Sequence, residues 1–158
     1  VLPLYLTQGA VLRFVSLPVV FAQRQTEDLG TAGMLGVLVW TAGFAFEAVG
    51  DEQPRRFKSD PANRGRVPDR GLWRYTRHPN YSGDACVWWG RYLLAAQHLP
   101  GAATVLSPVL TTWLLARGIG TPLLERHLSE SRPGPREYVA RTSGFVPLPP
   151  RPPRDRSR

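Results

Sequence analysis

Arg74, Arg77, His78 and Asn80 fall within one short run, GLWRYTRHPNYSGD at residues 71 to 84, together with Trp73, Tyr75 and Tyr81. The two arginines offer planar, permanently charged forks that suit phosphate or carboxylate. Pro79 fixes its own backbone and pushes His78 out of the helical region, so the chain turns and a new helix can begin beyond Asn80. A helix start carries free N–H groups and a partial positive charge, which would draw the same anion. The aromatic side chains can cover the flat faces of a base or nicotinamide ring. On residue types alone, an interfacial loop with arginine on lipid phosphate and Trp and Tyr at headgroup depth fits equally well.

The elements that must carry this run are apolar. Residues 1 to 22 form an apolar stretch interrupted by Gln8 and Arg13, long enough to come close to spanning a bilayer as a helix. Residues 30 to 49 are uncharged until Glu47 and rich in glycine and alanine, as close helix packing in membranes favours. Glu47 and Asp51, four apart, share a face at the end of that helix, where they can serve a nucleotide or pair with nearby arginines. Residues 83 to 98 and 103 to 119 read as two further apolar helices joined by the uncharged turn 99 to 102; both are short for full spans. The expected fold is therefore all-α, a membrane domain of about four apolar helices. A short C-terminal helix from Thr121 should follow, broken at residues 132 to 135, with a second turn near Arg136 to Arg141.

Charge orients this arrangement. The net charge of +8 comes almost entirely from arginine, with Lys58 the single lysine. Residues 50 to 82 hold eight cations against four carboxylates and read as a cytoplasmic loop by the positive-inside rule. Arg55 and Lys58 in that loop suit lipid headgroups or a nucleotide phosphate. The basic tail is placed on the same side, and residues 147 to 158, PLPPRPPRDRSR, read as disordered. Four apolar helices argue against nucleic acid as the partner. A lone cysteine, Cys86, excludes an internal disulfide framework and is expected to pack inertly; the histidines show no metal-ligand spacing, so no metal is expected. The glycines of residues 30 to 49 lie inside an apolar run and do not make a dinucleotide fingerprint. Because the chain starts at Val1 within apolar sequence, it reads as a segment of a longer protein.

The motif at residues 71 to 84 resembles the signature of the DUF1295 family, bacterial membrane proteins similar to the C-terminal half of steroid 5-alpha-reductases. The resemblance extends to WTAGFAFEAVGDEQPRRFKSDPANRG at residues 40 to 65, and to TPLLERHL and REYVARTSGFVPLP at residues 121 to 149. It implies an integral protein of the bacterial inner membrane, an NADPH-dependent reductase of a conjugated carbon-carbon double bond in a steroid, isoprenoid or enoyl compound, with its cofactor site and C-terminus cytoplasmic.

Carried onto this chain, Asp51, Asn80, Asp84 and Glu47 match the family's polar cofactor contacts. Arg55, Lys58 and Arg141 match its basic residues at the phosphates, and Tyr75 and Tyr81 its aromatics. Arg74, Arg77 and His78 belong to the bacterial signature. Two departures stand out: Gly120 and Leu124 fall where the steroid enzymes have histidine and tyrosine, and Asp84 replaces a glutamate. The acid and tyrosine that polarise the substrate carbonyl would lie on helices before residue 1, so no catalytic residue is named and the segment alone should not turn over. Membrane isoprenylcysteine carboxyl methyltransferases, which use S-adenosylmethionine, share a related turn; they carry paired glutamates in the last helix, where this chain has only Glu125. A non-catalytic membrane module is the third reading.

Overall fold

A computed structural model describes residues 2–24, 28–118 and 133–152. Those residues are mostly helical; the only β pairing among them is an isolated parallel bridge between Thr76 and Ser143. The elements are α1 (Leu2–Val15), α2 (Leu17–Gln23), α3 (Thr31–Ser59), α4 (Pro79–Ala95), α5 (Leu99–Ala102), α6 (Leu106–Trp113) and α7 (Pro133–Arg141), with 3-10 turns at Pro61–Asn63 and Gly71–Arg74.

Two helices are long and apolar enough to cross a membrane, Thr31–Ser59 and the continuous stretch Leu99–Arg117. A third span results if the pair Tyr5–Val15 and Leu17–Gln23, bent by 41°, counts as one. Helix α4 is 17 residues long and is not among them, so two or three of the four expected spans are found. The chain is a membrane protein, and its side chains are distributed accordingly. Met34, Leu35, Leu38, Leu106 and Trp113 point outward, while Ser107, Thr104 and Thr111 are buried. That is inside-out for water and suited to lipid.

The chain divides into two compact units, and α3 and α4 contribute residues to both. The first comprises Val1–Phe44 and Asp84–Leu114. Here α3 and α4 approach closely at two glycines: a Cβ on Gly90 would stand 2.6 Å from the Trp40 amide nitrogen, and one on Gly36 2.8 Å from the Gly90 carbonyl oxygen. Such small-residue contacts let backbones approach where the hydrophobic effect cannot drive helices together. Polar side chains complete the packing. Ser107 donates to the Val15 carbonyl at 2.6 Å, the Trp89 indole to the Thr112 hydroxyl at 3.1 Å, and the Gly30 amide to the Gln97 side chain at 2.7 Å.

The second unit comprises Ala45–Gly83 and Leu115–Arg158. Its first feature corrects the sequence reading, in which the helix ended near residue 49. Helix α3 runs ten residues further, through Pro54, to Ser59. Glu52 accepts from Arg55 and Arg56, three and four residues on and each at 2.6 Å, which supports the added turns. Glu47 and Asp51 therefore lie within the helix and not at its end. Asp60 ends it: preceding Pro61, it is held extended, and its carboxylate accepts from the Ala62 amide at 2.9 Å.

Three other boundaries move for local reasons. Helix α4 starts at Pro79, earlier than expected, because proline suits a first helical position. The expected turn at 99 to 102 is instead helical, with Pro100 in its opening turn and the extended His98 before it. Residues 147 to 152, expected to be disordered, are fastened by backbone bonds from Leu148 to Tyr75 (3.0 Å) and from Arg151 to Arg141 (2.9 Å). The helix expected from Thr121 lies outside the described residues, as do residues 153 to 158; helix α7 begins at Pro133, inside the expected break.

Candidate functional site

The second unit is organised around Gly50 of α3. A Cβ there would come within 3.0 Å of the Asn80 amide nitrogen and 3.1 Å of the Pro79 ring, so α4 starts directly against the α3 backbone. Pro54 has no N–H to offer the Gly50 carbonyl four residues earlier. The Trp73 indole N–H takes that carbonyl at 2.9 Å. Gln53 accepts from the Leu72 amide at 2.9 Å, so two consecutive residues of the loop are tied to α3.

This arrangement sets the α3 turns bearing Glu47 and Asp51 against the opening turn of α4, which bears Asn80 and Tyr81. Glu47, Asn80 and Tyr81 are half-buried and Asp51 is exposed. Tyr81 stacks on His78, with ring centroids 5.4 Å apart and planes 16° from parallel. His78 itself is buried, at 4 % exposure, so it backs the Tyr81 ring from within the fold.

Arg77 also turns inward. Its Nη1 donates to the Val139 carbonyl at 2.6 Å, in the last turn of α7, where a cation complements both the open carbonyls and the helix dipole. Its backbone N–H donates to the Ser143 carbonyl at 2.8 Å. Thr76, fully buried, donates to the Phe145 carbonyl at 2.9 Å, and Ser82 bonds the same oxygen. The Tyr138 hydroxyl donates to the Trp73 carbonyl at 2.7 Å; burial pushes this phenol well above its usual range. Half of the chemically suggestive run thus serves to dock α7 and the segment after it.

The remaining cations separate. Arg55 is exposed and paired with Glu52. Lys58 lines a shallow cleft with Asp60, Asn63, Arg64 and Arg66. Arg74 and Arg141 line a different one, of about 510 Å³, together with Asp69, Arg70 and Arg151. Arg141 is bound to Asp69 at 2.7 Å, and Tyr75 is 43 % exposed. Asp84 belongs to the other compact unit, where its neighbours are Trp88 and Arg91, and Arg91 lies over the Trp88 ring at 4.6 Å. Cys86, expected to be packed, is exposed on α4.

The profile of a family described as "Protein of unknown function (DUF1295)" matches residues 1–142. The chain belongs to the DUF1295 family. A curated relative, an uncharacterized protein of Schizosaccharomyces pombe, is 32% identical over 98 residues, which cover 60% of this DUF1295 chain and 28% of the relative. The chain thus matches less than a third of that protein's length. No solved structure matches it.

Within this DUF1295 chain, the sequence reading missed Gly50, Gln53 and Pro54, which seat the loop, and Arg70 and Arg151, which complete the arginine cleft. The glycine and proline that flank Asp51 and Glu52 in VGDEQP were the available signal for the first group. Arg151 gave none, since nothing in a Pro-rich tail reveals which backbone it will bond.

Proposed function

We propose that this chain is the cofactor-binding part of a membrane-embedded, NADPH-dependent reductase of a conjugated carbon-carbon double bond in a lipid-like substrate. The observation that carries this reading is the close approach of Gly50 to Pro79 and Asn80. It brings the α3 turns that bear half-buried Glu47 and exposed Asp51 alongside the start of α4, which bears half-buried Asn80 and Tyr81. The donor set fits the cofactor's chemistry in part. Glu47 and Asp51 can accept from ribose hydroxyls, the Asn80 amide can both donate to and accept from a carboxamide, and the Tyr81 ring can cover a planar ring. Arg74 and Lys58 offer cations for phosphates, whereas Arg77 is committed to the Val139 carbonyl.

When bound, NADPH supplies the hydride that reaches the beta carbon of the conjugated carbonyl compound. The part played by this chain is to bind and orient, with the rigid α3–α4 contact holding Asn80 and Tyr81 in fixed directions. No catalytic acid is assigned among its residues. The proposed topology has four passes, with the bent α1–α2 pair taken as one span and α4 joining it and the two helices long enough to cross. The basic segment at residues 50 to 82 and the tail both lie on the cytoplasmic side of a bacterial inner membrane.

Thermal unfolding of the protein in detergent tests this reading, with NADPH, NADP and S-adenosylmethionine added separately, beside Asn80→Ala. A ligand that binds only the native state raises apparent stability. Stabilisation by NADPH that Asn80→Ala abolishes supports the reductase. A response to S-adenosylmethionine alone replaces it with a methyltransferase, and no response to any of them leaves a non-catalytic membrane module.

A further inference from the structure

The cleft lined by Arg70, Arg74, Arg141 and Arg151 gathers four guanidinium groups on the surface of the second unit. Among the described residues its one carboxylate, Asp69, is bound to Arg141 at 2.7 Å, which leaves an excess of three positive charges around about 510 Å³. Among the described residues, no hydrogen bond or ion pair involves the side chains of Arg70, Arg74 or Arg151.

Mutual repulsion would spread such cations apart were they free to move, but their backbones are fixed. Arg70 and Arg74 bracket the 3-10 turn Gly71–Arg74, which Gln53 and Gly50 secure through Leu72 and Trp73. Arg141 closes α7, which is joined to the same turn by the bond from Tyr138 to Trp73. Arg151 is brought in by its own amide, which donates to the Arg141 carbonyl at 2.9 Å. Two stretches far apart in sequence, residues 70 to 74 and 141 to 151, are thus tied together so that their guanidinium groups share one concavity.

We infer that this cleft binds a phosphate monoester, whose dianionic head offsets the excess charge and accepts in-plane pairs of N–H bonds from the guanidinium forks. The cleft shares Arg74 and Arg141 with the residues assigned to NADPH phosphates, whereas Arg70 and Arg151 have no part in that reading, so the test is made on those two. Two sources present this chemistry: the headgroup of phosphatidic acid and a soluble phosphorylated compound.

The test is thermal unfolding of the full chain in detergent with glycerol 3-phosphate, or with short-chain phosphatidic acid, against chloride at matched ionic strength. Two double variants remove the same charge, Arg70→Gln with Arg151→Gln in the cleft and Arg24→Gln with Arg66→Gln outside it. Stabilisation by either phosphate is expected in the native protein. Its half-saturating concentration should rise at least tenfold in the cleft variant and stay within twofold in the other. A response to both ligands at similar concentration assigns a soluble source, and a response to phosphatidic acid alone assigns the lipid. Equal loss in both variants, an equal effect of chloride, or no stabilisation by either phosphate overturns the inference. Should the cleft variant fail to fold, the single changes Arg70→Gln and Arg151→Gln carry the same comparison. NADPH stabilisation measured on the same variants separates the two readings, since the cleft variant should retain it and Asn80→Ala should lose it while keeping the phosphate response.

Discussion

Trp73 and Pro54 act on the same oxygen: the proline withholds an N–H from the Gly50 carbonyl, and the indole supplies one at 2.9 Å. The helix can therefore carry a proline 24 residues into its 29 without leaving a buried acceptor open, and the loop gains an anchor on the helix. Replacing Trp73 with Phe should cost about 1–3 kcal/mol, the penalty for orphaning such a group. In a Pro54→Ala background, where the restored backbone N–H can complete the ladder, the same change should cost less. A double-mutant cycle by denaturant unfolding reads the difference, and a cost that is equal in both backgrounds refutes the coupling.

Thr76 and Ser82 converge on the Phe145 carbonyl from the two sides of Pro79. Thr76→Val keeps the shape and removes the hydroxyl, so a loss of about 1–2 kcal/mol is expected. Hydrogen exchange should locate the effect. The Leu148 amide, which bonds Tyr75, should lose protection before the amides of α4 do.

Gly90→Val tests the other compact unit. A branched side chain cannot fit where a single Cβ would already lie 2.6 Å from the Trp40 amide nitrogen. Overpacking at such a crossing should destabilise by about 1–3 kcal/mol or more, and Cys86→Val on the exposed surface of the same helix should be nearly silent. Similar losses at both positions, measured by thermal unfolding in detergent, would mean that α3 and α4 do not pack through this contact.

Tyr138 predicts an alkaline limb. Burial raises its phenol above the unfolded value of about 10, so the protonated group contributes its full stability below that pH. As pH rises past it, the unfolded chain ionises first and stability falls. Melting temperature followed from about pH 8 to about pH 11.5 should drop more steeply above about pH 10 in the native protein than in Tyr138→Phe. The variant should also be less stable at neutral pH, since the Trp73 carbonyl loses its donor.

The apolar helices were readable because their signal is local: residues 30 to 49 carry no charge before Glu47, and glycine and alanine mark where backbones approach. The extension of α3 past Pro54 was not readable, because what makes that proline tolerable is an indole contributed by Trp73, well beyond the helix end. The chemistry of residues 71 to 84 was half readable. The start of α4 does lie against α3 at Gly50, between Glu47 and Asp51 in sequence, but Arg77 and His78 have the composition of ligand contacts and turn into the fold. Only the fold reveals which arginine faces inward, since charge alone suits an anion and a helix end equally.

The bonds that complete the second unit also impose an order of assembly. Arg77 reaches its carbonyl partner at Val139 62 residues later, and Thr76 finds Phe145 69 residues later. While the ribosome is still making α5 and α6, the run at residues 71 to 78 has its anchors on α3 but none of its later partners. Its inward-facing polar groups must meanwhile be met by water, by chaperones or by lipid headgroups. A mutation confined to residues 138 to 151 should therefore expose the nascent loop to quality-control proteases, even though it lies far along the chain from the residues it protects.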